Sequence, residues 1–286
     1  MSLSRVLGRA AVAAVRKKQG EVPGGASAVP RLEAAARRVR LEPEAVARYE
    51  RACALPEGQG PVPPAYPETL FLGPMAELAT ARGFPLSPLG LIHVRQTLSP
   101  QAPIPRAATL DLACRIADAR DLERGIEIDM AMEARMDGAV AWTGVATMLS
   151  RNARTRARGG GARPEREVPE PGADDVVFEA GPRTGLAYAA ASGDYNPHHL
   201  YPWTARLLGY RRPIAHGMWT LARALGLLGG VRPLAPPFHV DASFKRPLFL
   251  PGRSRFHWEP AEARALRFEV READGGAPQL LGTVRP

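Results

Sequence analysis

The chain has 286 residues, of which 45% are hydrophobic, and a formal net charge of +9. This length and apolar content are typical of a globular protein with a sizeable core, and two cysteines exclude a disulfide framework, so we expect a cytoplasmic protein. Only three of the 38 basic residues are lysines, a bias typical of a high-GC bacterial genome. The arginines are scattered among acidic residues without a nucleic-acid motif, so we expect no nucleic-acid partner.

The first part of the chain has helical patterns. Residues 3–18 resemble a basic amphipathic helix, whose apolar part is too short for a signal peptide or a membrane span. A second pattern, rich in Ala and Arg, follows residue 30 and predicts a helix that ends at about Ala52. An apolar run from Leu70 to Ala81 predicts a buried helix, and Pro74 fits in its first turn because the N–H group that proline lacks has no intrahelical acceptor there.

From Gly90 the apolar residues recur at every second position, which predicts strands. The predicted strands span 91–98, 108–117, 126–134 and 140–149. Asp137-Gly138 between the last two predicts a two-residue hairpin turn. Since apolar and charged residues alternate, we expect an antiparallel sheet with one covered face and one face toward water.

The second half repeats this order of elements. Residues 151–175 combine arginines, glycines and prolines without periodicity, which predicts a linker. After it come a short strand, two short helices and an apolar helix from Met218 to Leu228 that we expect to end at Gly229-Gly230. Further strands are predicted at 238–244, 253–259, 264–272 and 279–284. The shared order predicts an internal duplication.

One loop between these helices concentrates residues that transfer protons. Asp194, Asn196 and His199 lie within six residues around Pro197, so a single turn can direct a carboxylate and an imidazole into one cleft. Such a pair can activate a water and move a proton near neutral pH. Gly217 follows at the start of the apolar helix, where a backbone N–H can receive a developing oxyanion.

These residues resemble a known family. Gly193-Asp194-x-Asn196-Pro197-x-His199, followed by Ala215-His216-Gly217-Met218, is similar to the hydratase motif of MaoC-like (R)-specific enoyl-CoA hydratases and dehydratases. Phe244-Lys245-Arg246-Pro247 is similar to the strand after the central helix of that family. The resemblance covers roughly residues 176–286, and the first half is similar only in its order of elements.

The resemblance implies an α+β fold of two tandem hot-dog repeats, in each of which an antiparallel sheet wraps a central helix. We therefore expect a degenerate N-terminal repeat with a helical start at 1–150, a linker at 151–175 and a catalytic repeat at 176–286. The first repeat lacks the motif, which resembles two-hot-dog hydratases whose N-terminal repeat helps to form an acyl-chain tunnel. Phe71, Met75 and Phe84 are candidates to line such a tunnel, with core packing as the equal alternative.

The resemblance also implies the roles of the loop residues. Asp194 and His199 would hold and activate a water, and one of them would return a proton to C2 of a trans-2-enoyl thioester. The N–H of Gly217 would bind the thioester oxygen, and Asn196 would shape the loop. No cofactor and no metal are implied.

Other histidines and basic residues receive weaker assignments. His198 departs from the aliphatic residue usual in the family and is expected to be a neighbour of the site. We expect His216 to cap the apolar helix and His93 to be an ordinary strand residue without a carboxylate partner. The basic residues Arg212, Lys245 and Arg246 are candidates to bind CoA phosphates or an acidic carrier protein, with surface exposure as the equal alternative.

The sequence thus predicts a (3R)-hydroxyacyl-thioester dehydratase, or equivalently an enoyl-CoA hydratase. Its substrate would be an acyl-CoA or an acyl-carrier-protein thioester, and a homodimer is possible. Two alternatives stay open: an acyl-binding hot-dog subunit without catalysis, and a hot-dog acyl-CoA thioesterase. The sequence sets neither the chain length nor the direction of the reaction.

Overall fold

The computed structural model describes residues 22–58, 60–151 and 175–286. The amphipathic helix predicted at 3–18 and almost all of the predicted linker at 151–175 lie outside these ranges. The strands are β1 Glu33–Arg40, β2 Leu91–Pro100, β3 Thr109–Leu122, β4 Gly125–Met136, β5 Ala139–Arg151, β6 Val176–Ala180, β7 His239–Phe244, β8 Gly252–Pro260, β9 Leu266–Glu272 and β10 Pro278–Arg285. The α-helices are α1 Pro43–Ala52, α2 Leu72–Thr80, α3 Thr184–Ser192, α4 Pro202–Leu207 and α5 Gly217–Val231.

All ten strands form one antiparallel sheet in the order β1-β3-β4-β5-β2-β7-β10-β9-β8-β6. The two halves of the chain meet where β2 pairs with β7, with Arg95 opposite Ser243 and Leu98 opposite Val240. Counted outward from this seam, the strands of the first half are β2, β5, β4, β3 and β1, and those of the second half are β7, β10, β9, β8 and β6. Each half therefore places its second, fifth, fourth, third and first strand in the same order. The antiparallel α+β architecture predicted from the sequence is confirmed.

The periodic strands and the hairpin lie where the sequence predicts them. Asp137 and Gly138 both have positive φ, 50° and 81°, as the two central residues of a tight hairpin turn require. Along β3 and β4 the buried apolar side chains recur at every second position, including Leu110, Leu112 and Met130. Local alternation is sufficient here because each side chain of a strand faces one side of the sheet only.

The helix predicted after residue 30 is wrong in its first part. Residues Glu33–Arg40 form β1, an edge strand that pairs with β3, and only Pro43–Ala52 is helical. The strand contains an irregularity at Arg38, which has φ 53° and whose N–H donates to Asp111 Oδ1 at 2.8 Å. Pairing with β3 therefore overrides the helical preference of Ala and Arg, which local sequence cannot reveal.

The apolar helix α5 packs against the inner side of the sheet. It contacts β8, β9 and β10, and its residues Leu221, Ala224 and Leu228 are completely buried. The helix continues through Gly229-Gly230 to Val231, so its predicted end at these glycines is wrong. Among the described residues no helix has both the length and the apolar character needed to cross a membrane.

Helices of the two halves also contact one another. The indole N–H of Trp219 in α5 donates to the carbonyl oxygen of Ala52 at the end of α1, at 2.7 Å. Helix α1 contacts α3, where the rings of Tyr49 and Tyr188 lie 5.9 Å apart. These contacts bring the first half of the chain against the loop that follows α3.

Candidate active site

The loop after α3 is held in shape by its own hydrogen bonds. Gly193 ends the helix in the left-handed conformation, with φ 86°, which glycine adopts at little cost. The Ser192 hydroxyl donates to the carbonyl oxygen of Tyr188 at 2.8 Å and accepts from the N–H of Asp194 at 3.2 Å. Asp194 Oδ1 in turn accepts from the N–H of Asn196 at 3.1 Å. The carboxylate of Asp194 thus braces the turn that leads to His199.

His199 is buried and held in a single orientation. Its ring is 7% exposed, and its Nδ1 lies 2.8 Å from the carbonyl oxygen of Ile214. A carbonyl oxygen only accepts, so Nδ1 carries the proton and Nε2 keeps a free lone pair. His199 is therefore prepared to accept a proton at Nε2.

His216 supports this arrangement from the start of α5. Its ring stacks on that of His199, with centroids 3.6 Å apart and planes inclined by 24°. Its Nε2 donates to the main-chain oxygen of Asp194 at 3.0 Å, and it makes no capping hydrogen bond to the helix. His216 occupies the N-cap position of α5 as predicted, but its side chain bonds to the Asp194 loop instead of to the helix.

Both stacked histidines are uncharged near neutral pH. Burial is the largest influence and lowers the pKa of His199 well below 6.5, with further lowering by His216 and His198 against an opposing effect of Asp194. Burial also lowers the pKa of His216 to about 3. A neutral imidazole beside a carboxylate is the state in which a histidine acts as a general base.

The structure brings three polar side chains to one point. One potential ligand atom each from Asp194, His199 and His216 lies within 4.8 Å of the other two. The side chain of Asp194 is 35% exposed, so a small molecule can reach this point from solvent. A carboxylate with two imidazoles also suits a divalent cation, but the two rings stack face to face instead of converging on one ion. Proton transfer is the chemistry that the arrangement favours.

Gly217 begins α5, where its N–H has no acceptor within the helix. A Cβ atom at this position would lie 3.0 Å from the ring of Phe244, tighter than ordinary van der Waals contact. The glycine therefore also permits Phe244 to pack closely against the start of the helix.

Asn196 has a buried side-chain Oδ1 without a hydrogen-bond partner, and its side chain makes no capping bond to the following turn. This oxygen is free to accept a hydrogen bond from a ligand. The predicted role of Asn196 in shaping the loop stays a prediction.

His93 lies closer to the site than the sequence suggests. It is a residue of β2, and its ring contacts Phe244 with centroids 4.9 Å apart. Burial lowers the pKa of His93 to about 4, while the nearby charge of Asp194 acts in the opposite direction. No carboxylate is near His93 in the sequence, and the pairing of β2 with β7 is what brings it within the electrostatic influence of Asp194.

Three buried polar residues near the site were not predicted from the sequence. They are Tyr49 of α1, Glu68 of the short 3₁₀ turn Tyr66–Phe71, and Tyr188 of α3. The only local signal was a carboxylate within a mainly apolar segment, since hydroxyls of tyrosine are common in cores. His198, by contrast, is a neighbour as expected, with its ring 3.9 Å from that of His199.

The predicted substrate-binding cations are exposed and lie beside two segments that are hydrogen-bonded to each other. Ala215 N–H donates to Leu248 O, and Leu250 N–H donates to Pro213 O, both at 2.8 Å. Arg212 donates to the carbonyl oxygen of Pro251 at 3.2 Å, and the exposed Lys245 and Arg246 precede this segment.

The tunnel candidates Phe71 and Phe84 are buried in the core, where Phe71 stacks on Trp142.

Comparison with known proteins gives consistent results. Residues 162–234 match the family described as MaoC like domain. The chain is 29% identical over 245 residues to 3-hydroxyacyl-thioester dehydratase X of Mycobacterium tuberculosis, a match that spans 86% of both chains. It is 31% identical over 217 residues to 3-hydroxyacyl-thioester dehydratase Y of the same organism, which spans 71% of this chain and 74% of that protein. The crystal structure of HtdX from M. tuberculosis superposes with a TM-score of 0.75 at 26% identity, covering 89% of this chain and 99% of that chain.

Proposed function

The chain belongs to the MaoC-like dehydratase family of hydro-lyases, and from this premise we propose that it interconverts trans-2-enoyl and (3R)-3-hydroxyacyl thioesters with Asp194 and His199 as the catalytic pair. Two relatives that match most of the length of this chain are named 3-hydroxyacyl-thioester dehydratases. The observation that carries the assignment of residues is the convergence of Asp194, His199 and His216 within 4.8 Å.

In the hydration direction, Asp194 and His199 hold a water beside C3 of the enoyl chain. His199 Nε2 has the free lone pair, so it accepts one proton of the water while the water oxygen bonds to C3. The electrons of the double bond move to the thioester oxygen, which becomes an enolate. C2 then takes up a proton from the pair, and the net change is the addition of one water. Dehydration follows the same steps in reverse.

Two further residues serve the intermediate in this scheme. The N–H of Gly217, at the positive end of α5, donates to the enolate oxygen as its charge develops. The buried and unpartnered Oδ1 of Asn196 accepts from the bound water or substrate. His216 makes no contact with substrate in this scheme and keeps the Asp194 loop in place through its bond to the main chain.

The rest of the molecule receives its roles from the same proposal. The matching strand order on both sides of the seam supports two tandem hot-dog repeats, 1–150 and 176–286 joined by 151–175, of which the first has lost the motif. Arg212, Lys245 and Arg246 would meet the phosphates of CoA or the acidic surface of a carrier protein. A homodimer and a cytoplasmic location stay predictions.

The proposal is tested with Asp194→Asn and His199→Ala in a hydration assay that follows the absorbance of a short enoyl-CoA. Since general acid/base catalysis contributes about 10²–10⁴-fold, each variant should lose activity by that order while keeping its unfolding midpoint. Asp274→Asn, in an exposed turn, is the matched control and should retain full activity. Full hydration by both site variants would contradict the assignment, and release of free thiol without hydration would indicate the thioesterase alternative.

A further inference from the structure

Both halves of the chain build a buried polar cluster next to the proposed catalytic pair. The cluster consists of Tyr49 on α1, Glu68 in the turn Tyr66–Phe71 and Tyr188 on α3, which are all at most 5% exposed. The ring of Tyr188 lies 4.7 Å from that of His216, and the ring of Tyr49 lies 5.9 Å from Tyr188. Tyr49 also contacts Tyr66, in the same turn as Glu68, at 5.2 Å. The cluster thus reaches from the first half to the Asp194 loop.

Several polar atoms around this cluster lack partners. They include His93 Nε2, Asn196 Oδ1 and His216 Nδ1. Most buried polar atoms in proteins have a partner, and exceptions concentrate where a ligand or an ordered water completes the bonding. This concentration of free polar atoms beside Asp194 indicates that the cluster is part of the reaction site and not only of the core.

Glu68 differs from the other buried carboxyl groups in having no cation. Glu50, Glu127 and Glu269 are each paired with an arginine. Among the described residues, no Lys or Arg forms an ion pair with Glu68, and the groups that interact with it electrostatically are Tyr49, Tyr188 and Asp194. Burial and a second carboxylate nearby both favour the protonated, neutral form of a carboxyl group.

We propose that Glu68 is a positioning residue of the proposed hydratase reaction, which it serves by remaining a neutral acid so that Asp194 is the only carboxylate at the site. The inference rests on the proposed function and adds a residue from the half of the chain that lacks the motif. It acts through Asp194, because ionisation of Glu68 places a second negative charge beside that carboxylate and beside the enolate that forms in the reaction.

The charges around Glu68 support this role. Burial and the charge of Asp194 raise the pKa of Glu68 to about 8. The other titratable groups that face the cluster do not ionise in this range, since burial raises the pKa of Tyr49 and Tyr188 well above 10 and that of Cys53 on α1 to about 12. His93, on β2, is neutral above its pKa of about 4. Glu68 is therefore the group that changes charge near the upper end of the physiological range.

The test is the pH profile of kcat/KM for hydration of a short enoyl-CoA by three variants. For the wild type we expect kcat/KM to decline as the pH rises through about 8, toward the lower activity of the enzyme with ionised Glu68. Glu68→Gln keeps a neutral group of nearly the same size, so its profile should stay level where the wild type declines. Glu68→Asp keeps an ionisable carboxyl and should retain the decline, and Glu77→Gln, an exposed glutamate of α2, should behave as the wild type.

The outcomes separate this inference from the proposed function. If Glu68→Gln and the wild type decline together while Asp194→Asn is inactive, the role of Glu68 is refuted and the assignment of the catalytic pair stands. If Glu68→Gln loses activity equally at every pH, the residue is structural and the inference is also refuted. A wild type without hydration activity overturns both proposals. A level profile for Glu68→Gln alone supports the inference.

Discussion

Substitution of Glu68 by glutamine should change how stability depends on pH. The ordinary pKa of this carboxyl is 4.5, and in the folded protein burial and Asp194 raise it to about 8. The folded state therefore binds the proton more tightly than the unfolded chain does. The contribution of Glu68 to stability is fully present below pH 4.5 and is lost as the pH rises to about 8. Glutamine has no proton to lose, so Glu68→Gln lacks this dependence.

The change in unfolding free energy follows from the pH range between the two pKa values of Glu68, 4.5 in the unfolded chain and about 8 in the folded protein. Within it the wild type should lose about 1.4 kcal/mol of unfolding free energy for each pH unit relative to Glu68→Gln. Between pH 5.5 and 7.5 the difference between the two proteins should therefore change by about 2.7 kcal/mol, all of it in favour of the variant. Other titrating groups are common to both proteins, so their contributions cancel in the comparison.

The assay is urea denaturation of both proteins at half-unit steps from pH 5.5 to 8.5, followed by tryptophan fluorescence. The difference in unfolding free energy should increase up to about pH 8 and then become constant. Glu77→Gln, at an exposed position, is the control and should show no pH-dependent difference. A constant difference between Glu68→Gln and the wild type across the whole range would show that Glu68 ionises normally, which would refute the reasoning.

Two further predictions concern Gly217 of α5 and His199, the proposed base. Gly217→Ala places a Cβ 3.0 Å from the Phe244 ring and should lower kcat/KM by displacing the start of α5. Gly229→Ala is the control, because its Cβ meets no atom within 4 Å and the variant should keep full activity. Urea midpoints are measured for both variants, and equal activity of the two would contradict the role of Gly217. Burial lowers the pKa of His199 well below 6.5, so kcat/KM should stay level from pH 8 to 6.5 and decline only at lower pH. A decline of kcat/KM with its midpoint at pH 6.5 would contradict this prediction, because it would indicate a histidine with an ordinary pKa.

Much of the second half of the chain could be predicted from the sequence. The motif around Asp194 and His199 identifies the family because it fixes several residue types at short spacing, and the resemblance is confirmed by relatives that match most of the chain. The strands could be predicted because alternation is a local property. The helix predicted for Glu33–Arg40 was wrong since an edge strand is specified by its partner, here β3.

The catalytic surroundings could not be predicted in the same way. His216 is adjacent to Gly217 in sequence and so suggests a helix cap, but its side chain bonds to Asp194, 22 residues away. His93 and Glu68 come from the half without the motif, and no spacing relates them to Asp194. Their approach depends on the pairing of β2 with β7 and on the contact of α1 with α3.

Residue types, turn geometry and periodicity act over a few neighbouring positions, so the proton-transferring residues of the loop and the elements around it can be identified in the sequence. Which side chains surround Asp194, and which of them carry charge, depends on how the chain folds. A pKa depends on burial and on charges that are close in space, and both are properties of the folded chain. For this reason burial lowers the pKa of His199 and raises that of Glu68, although neither shift could be predicted from the residues next to them in the sequence.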